Sequence, residues 1–207
     1  MKILLQPKIS NIKGHVKLGE LSLKQLQANL KEKEFVRHGN YISLKGKYSY
    51  VIFPKNGYVN VTGIRKIEEI SCVLHNLCLD FSLDRDLIVS DFIIDNTTAT
   101  GNLEKRINLS TLQEYIVTKP SCDFTVSYNR DIFSGAFIKS CFGPTVIIFS
   151  SGKYNILGSK CLQSLTQVSL KFHALINELW MTRTSLSAST VELCYKPCST
   201  IQFLKTV

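Results

Sequence analysis

Cysteine and histidine, the residue types best suited to covalent or metal chemistry, are spaced in a way that argues against both. Among the seven cysteines, only Cys194 and Cys198 lie close together, and no second Cys or His pair completes a tetrahedral metal site with them. The four histidines are scattered along the chain. Asp91 and Asp95 are interpreted as strand-entry charges rather than as an acid/base pair. No GxGxxG, GxxxxGK, HExxH or GxSxG string occurs. We therefore predict no enzyme activity, no metal and no cofactor.

Composition and charge favour a soluble protein with a polyanionic partner. The 207-residue chain is 44% apolar and has a formal net charge of +9. Its apolar runs fall short of the roughly 18 residues of a membrane span, and no secretory apolar segment follows the N-terminus. Residues 1–85 carry 14 Lys and Arg against 7 acids, and residues 86–180 carry 8 against 8. We expect an intracellular protein whose first half attracts a polyanion, although a solvated lysine face explains the charge equally well.

The two halves of the chain contain similar segments in the same order. Segments 21–30 and 107–116 align without gaps and share a helical apolar stripe. Asn11 and Asn96 precede them, 85 residues apart, in strand-like runs. The strings VIFPKNGYVNVTG and VIIFSSGKYNILG follow, and each leads into a longer helical stripe. We therefore predict an internal repeat.

The repeat also predicts the architecture. Each unit has about 90 residues, too few to bury both helix faces alone, so the strands of both should merge into one sheet with helices on one side. The fold class is thus α+β, with residues 1–85 as the first repeat, residues 86–180 as the second and residues 181–207 outside both.

Strand alternation assigns the two faces of this sheet. Val59 and Val61 in one copy, and Tyr154 and Ile156 in the other, should face the helices. The opposite surface, the open face, then carries Asn and Thr beside a few apolar side chains and lysines. This mixture suits the minor groove of DNA, where amides bond base edges, phenylalanine wedges between base steps and lysine neutralises phosphates.

Four strings resemble the two direct repeats of the TATA-binding protein family: NI, VIFPKNGYVNVTG, SYNRDIFSGAF and VIIFSSGKYNILGSK. The resemblance covers about residues 5–180, and the GKxNILG string is similar to members of the family from large DNA viruses. It implies a saddle-shaped, curved antiparallel sheet with helices on the convex face. It also implies a transcription initiation factor that binds A·T-rich promoter DNA, bends it, and recruits a IIB-like factor and RNA polymerase. The protein would act in the nucleus or, if viral, at a cytoplasmic replication site.

The resemblance assigns roles to individual residues. Phe53 and Phe149 match one wedge of each repeat, and Phe133 matches the second wedge of the second repeat, whereas Phe35 and His38 are alternatives for the remaining wedge. A buried core position is the other interpretation of these phenylalanines. The implied DNA-binding residues are Asn11, Lys13, Lys17, Val51, Phe53, Asn60, Thr62, Asn96, Thr98, Phe133, Ile147, Phe149, Asn155 and Leu157.

The chain departs from the family pattern at one equivalent position in each repeat. Asn60 and Asn155 stand where the family has valine, and an amide can accept from the guanine amino group, so strict TATA preference is not implied.

The string SYNRDIF resembles the loop that contacts the IIB factor, which implies partner contacts from Tyr128, Asn129, Asp131 and Ile132. An ordinary turn is the alternative interpretation of this loop. The alternative function is an adaptor with the same fold that binds proteins and has lost DNA binding.

Overall fold

A computed structural model describes residues 7–20, 26, 30, 35–119 and 123–185 of the chain. Its centre is one curved sheet of ten antiparallel strands in the order β2-β3-β4-β5-β1-β6-β10-β9-β8-β7. The strands are β1 Lys8–Lys17, β2 Phe35–His38, β3 Tyr41–Lys45, β4 Ser49–Phe53, β5 Tyr58–Ile64, β6 Ile93–Asn102, β7 Phe124–Ser127, β8 Gly135–Ser140, β9 Thr145–Phe149 and β10 Lys153–Ser159. The predicted α+β class with a single merged sheet is confirmed.

Three α-helices of the described ranges pack on one side of the sheet: α1 Ile70–Phe81, α2 Leu109–Thr118 and α3 Leu162–Ser185. Helix α2 begins two residues later than its apolar stripe because the Asn108 side chain caps it, accepting from the Thr111 N–H at 3.0 Å. The helix predicted over 21–30 lies outside the described residues except for Leu26 and Leu30, which are both fully buried.

Strands β1 and β6 join the two halves. They lie side by side at the middle of the sheet, where Asn11 is opposite Thr98 and Lys13 is opposite Asn96. Exchanging the two strands carries Asn11 onto Asn96 and Lys13 onto Thr98, so a local two-fold axis passes between them. Residues 11 and 96 therefore meet near the centre although 85 positions separate them in the sequence.

Two apolar clusters form the core beneath the two halves of the sheet. Val59, Val61 and Ile156 are fully inaccessible, which confirms the predicted helix-facing side. Tyr154 joins them, and its hydroxyl lies 2.8 Å from Nε2 of His173 on α3. Burial raises the pKa of Tyr154 to about 12 and lowers the pKa of His173, because both charged forms lose hydration.

One helix extends beyond the predicted end of the second repeat. Helix α3 continues to Ser185, past residue 180, where the sequence places the end of the second repeat. Within the described ranges, no helix is long and apolar enough to cross a membrane.

Candidate nucleic-acid interface

The face of the sheet turned away from the helices brings together the strand residues predicted to bind DNA. Each of them has at least one buried neighbour along its strand, whereas they themselves are half-buried or exposed. They are Asn11, Lys13, Lys17, Val51, Phe53, Asn60, Thr62, Asn96, Thr98, Ile147, Phe149, Asn155 and Leu157. This surface is the open face. A saddle of this kind offers a broad, mostly neutral surface with polar groups at its centre.

Asn11 and Asn96 make equivalent hydrogen bonds on either side of the local two-fold axis. Oδ1 of Asn11 accepts from the Gly63 N–H at 2.7 Å, and Oδ1 of Asn96 accepts from the Gly158 N–H at 3.0 Å. Both glycines have positive φ, 100° and 84°, at positions where the strand register shifts, so their N–H groups leave the regular ladder. Because each Oδ1 is occupied by an N–H donor, the two Nδ2 groups are oriented as donors for an external acceptor.

The two amides differ in their second neighbour. The Thr62 hydroxyl donates to Oδ1 of Asn11 at 3.2 Å, whereas the corresponding position of the second repeat is Leu157. Asn11 is therefore held by two donors and Asn96 by one, which makes the first amide the more firmly oriented of the pair.

The outer end of the second repeat carries a cluster of three phenylalanines. The ring of Phe133 lies 5.1 Å from Phe137 and 5.8 Å from Phe149, measured between centroids. Gly135 makes room for them, since a Cβ at this position would approach Phe133 Cε1 to 2.8 Å. Phe133 and Phe137 are each 37% exposed, so the set, called the second aromatic cluster, is accessible. Sequence reasoning missed Phe137 because its face depends on the β8 register.

The outer end of the first repeat has a cluster of different composition. His38 stacks on Tyr41 at 4.7 Å, and Tyr41 lies 5.4 Å from Phe53. These three residues are the first aromatic cluster. The alternative wedge Phe35 is wrong: it pairs with the buried Leu44 and packs against the core, on the helix side of the sheet.

A carboxylate also reaches the open face. Asp95 is the extra residue of a bulge in β6, between the Asn96 and Ile94 positions that pair with β1. Its Oδ1 lies 2.9 Å from Nδ1 of His15, whose ring packs edge-on against Tyr58 at 5.5 Å. Asp95 is the third residue of β6, close to the start of the strand as predicted, and the bulge brings its carboxylate to His15.

The predicted partner loop is both a hydrogen-bonded turn and an exposed tip. The Asn129 side chain accepts from the Asp131 N–H at 3.0 Å, and the Asn129 carbonyl accepts from the Phe133 N–H at 3.0 Å. These bonds fix the loop, and Ile132 at its tip is 81% exposed. Tyr128 is instead half-buried against the second-repeat core. The loop thus presents an aliphatic side chain and the Asp131 carboxylate on a rigid support.

In the described ranges, no three His, Cys, Asp or Glu side chains are grouped to hold a metal ion. What the open face offers to a ligand is hydrogen-bond donors, aromatic rings and charge.

Comparison with known proteins agrees with this geometry. Residues 91–179 match the family model described as transcription factor TFIID, or TATA-binding protein. The fold is similar to that of the TATA-binding protein of Methanococcus jannaschii, with a TM-score of 0.66 and 22% identity, over 84% of this chain and 99% of that one. No curated protein sequence matches the chain. Residues 91–179 are thus similar to the TATA-binding protein family, and the described sheet has the fold of the Methanococcus jannaschii protein.

Proposed function

We propose that this protein is a transcription initiation factor that binds promoter DNA through the minor groove on its open face. The family match and the fold support a TATA-binding-protein-like transcription factor, a class of non-enzymatic DNA-binding factors. The observation that carries the DNA-binding step is the Asn11 and Asn96 pair, whose Oδ1 atoms are occupied by backbone donors. Their Nδ2 groups can then donate to the acceptors that every A·T pair presents in the minor groove.

Bending follows from the two ends of the open face. Exposed rings in the second aromatic cluster can enter a base step, which costs unstacking energy and bends the duplex toward the major groove. Lys13 and Lys17 are exposed beside the central amides and can neutralise phosphates of the bent duplex. The bend allows both ends of the sheet to contact the DNA at once.

Sequence preference is proposed to be A·T-rich but tolerant of guanine. Asn60 and Asn155 lie half-buried on the open face, at equivalent positions of β5 and β10. An amide oxygen at either place can accept from the guanine N2 amino group, which an aliphatic side chain would only exclude. The protein should therefore discriminate less sharply against G·C pairs at two positions of its site.

Recruitment is assigned to the loop that contains Tyr128, Asn129, Asp131 and Ile132. A carboxylate beside an exposed aliphatic side chain can pair with a basic residue and fill a shallow pocket, and few residues dominate such interfaces. The proposed partner is a IIB-like factor that brings RNA polymerase to the promoter. The proposed place of action is the nucleus or, for a protein of a large DNA virus, a cytoplasmic replication site.

Fluorescence anisotropy with A·T-rich and random duplexes at two salt concentrations tests the DNA-binding step. The double variant Asn11→Ala, Asn96→Ala should bind the A·T-rich duplex about tenfold or more weakly, because two donors to base acceptors are lost. Asn177→Ala is the matched control, since Asn177 is exposed on α3, on the opposite side of the sheet. A wild-type protein that binds neither duplex would instead favour the adaptor function.

Partner recruitment is tested separately with Asp131→Arg and Ile132→Ala. Both variants should bind and bend DNA like the wild type but lose affinity for a IIB-like protein in a pull-down with DNA present. Wild-type recruitment by both would show that the loop is only a turn.

A further inference from the structure

A cleft beside the partner loop is lined by two arginines. It has a volume of about 760 Å³ and lies between the segment that leads into α2 and the loops that flank β8 and β9. Its lining consists of loop residues and the first turn of α2, and Ser134 and Ser150 directly follow Phe133 and Phe149 of the second aromatic cluster. The residues that line it are Arg106, Ile107, Asn108, Leu109, Ser110, Tyr128, Arg130, Ser134 and Ser150.

Two exposed arginines give this cleft a positive charge. Arg106 and Arg130 are exposed, and neither forms an ion pair with an acid in the described part of the chain. Ile107 and Leu109 also line the cleft, but both are almost fully buried. Within the described residues, the two guanidinium groups therefore have no carboxylate as a counter-charge.

The Asn108 side chain is already committed to the structure, since it caps α2. The groups left for a ligand are the two guanidinium groups and the hydroxyls of Ser134 and Ser150, both exposed. Guanidinium groups bind carboxylates through paired hydrogen bonds, which are stronger than neutral ones. The cleft thus offers anion recognition, and the loop that supplies Arg130 also carries the exposed aliphatic side chain of Ile132.

We propose that this cleft binds an acidic segment of a protein partner in which carboxylates alternate with apolar side chains. The inference rests on the proposed function only in that the neighbouring loop is taken as a partner contact, and the bound segment would continue from the cleft across the exposed Ile132. A DNA phosphate is the less suitable ligand, because it would leave the exposed side chain of Ile132 without an apolar contact.

The probe for this site is a short fluorescein-labelled peptide in which Glu and Asp alternate with Leu and Phe, titrated against the full chain by anisotropy without DNA. Binding should weaken about tenfold or more in Arg106→Glu, Arg130→Glu, since two attractive charge contacts become repulsive. Arg65→Glu is the control, since Arg65 is an exposed arginine of the first repeat. The same double variant should bind an A·T-rich duplex with wild-type affinity.

Three results would overturn the inference. They are equal peptide affinity in the double variant and the wild type, equal binding of a peptide with Gln and Asn in place of the acids, and parallel loss of peptide and duplex binding, which would mark a phosphate site. The milder Arg106→Gln, Arg130→Gln variant, with circular dichroism of each protein, separates loss of charge from loss of fold. Failure of the wild type to bind DNA would count against the proposed function and leave the peptide result unaffected.

Discussion

The aromatic rings at the two ends of the open face are packed by different residues. In β8 and β9, Gly135 is opposite Phe149 and leaves room for the rings of its neighbours. In β3 and β4, the corresponding place is taken by Tyr41, one residue before the Ile42 and Ile52 pair, and its ring lies against Phe53. The backbone ladder is therefore the same at both ends, whereas the volume above it is filled from different positions.

In the proposed complex with DNA, the two clusters would act differently because they differ in polarity. The second aromatic cluster consists of phenylalanine alone, which loses little hydration when it enters a base stack. The first contains a histidine stacked on a tyrosine, and both keep polar atoms that prefer water or a phosphate. Unequal ends favour unequal kinks, so the protein should prefer one orientation on an asymmetric site.

The largest expected effect comes from removing the second aromatic cluster. Phe133→Ala, Phe149→Ala should weaken binding to A·T-rich DNA by about 1–3 kcal/mol for each lost base contact, and should reduce the bend seen by energy transfer between labelled duplex ends. Tyr41→Ala, Phe53→Ala should have a smaller effect. Equal losses would remove the distinction between the ends. A loss of about 3 kcal/mol or more in the free energy of unfolding would mark the phenylalanines as core residues.

An effect of intermediate size is expected in the salt dependence. If the first repeat supplies most phosphate contacts, removing Lys13 and Lys17 together should lower the slope of log affinity against log salt by up to about two. Removing Lys139 and Lys160 from the second repeat should lower it less. Titrations across a range of salt concentrations measure both slopes, and equal changes would show that the charge asymmetry of the sequence has no role in binding.

The smallest effect concerns the core of the second repeat. Burial lowers the pKa of His173 below its usual 6.5, so the unfolded chain takes up a proton before the folded protein does. This contribution to stability is complete above about pH 6.5 and is lost as the pH falls toward the folded pKa. Urea unfolding at several pH values should show a shallower acid dependence in His173→Gln. An unchanged dependence would assign it to other groups.

Sequence reasoning succeeded where the alternation of the strands is regular. Val59, Val61 and Ile156 are buried as predicted because a period of two leaves one face apolar. It failed where the backbone departs from that period or where pairing decides the face. The bulge at Asp95 placed a carboxylate on the open face, and the pairing of Phe35 with Leu44 placed a candidate wedge on the core side.

An apolar stripe predicts the position of a helix more reliably than its first residue. The first residue of α2 is decided by a capping side chain, that of Asn108. The internal repeat pointed to the central amides through equal spacing, but the sequence alone does not contain the orientation of their Oδ1 atoms. That orientation depends on two glycines in the neighbouring strands. The basic cleft escaped notice because its two arginines are 24 positions apart in the sequence.

The merged sheet also limits how these molecules can associate with one another. Of the ten strands that the described residues form, only β2 and β7 are at the margins, and each has four residues. A strand of that length offers few unpaired N–H and C=O groups to a second chain, and β2 carries the exposed Arg37 at its margin. Long, flat margins are the usual templates for intermolecular β-pairing. Because the sheet ends on a short strand at each margin, the protein can present a wide binding surface with little tendency to polymerise by strand pairing.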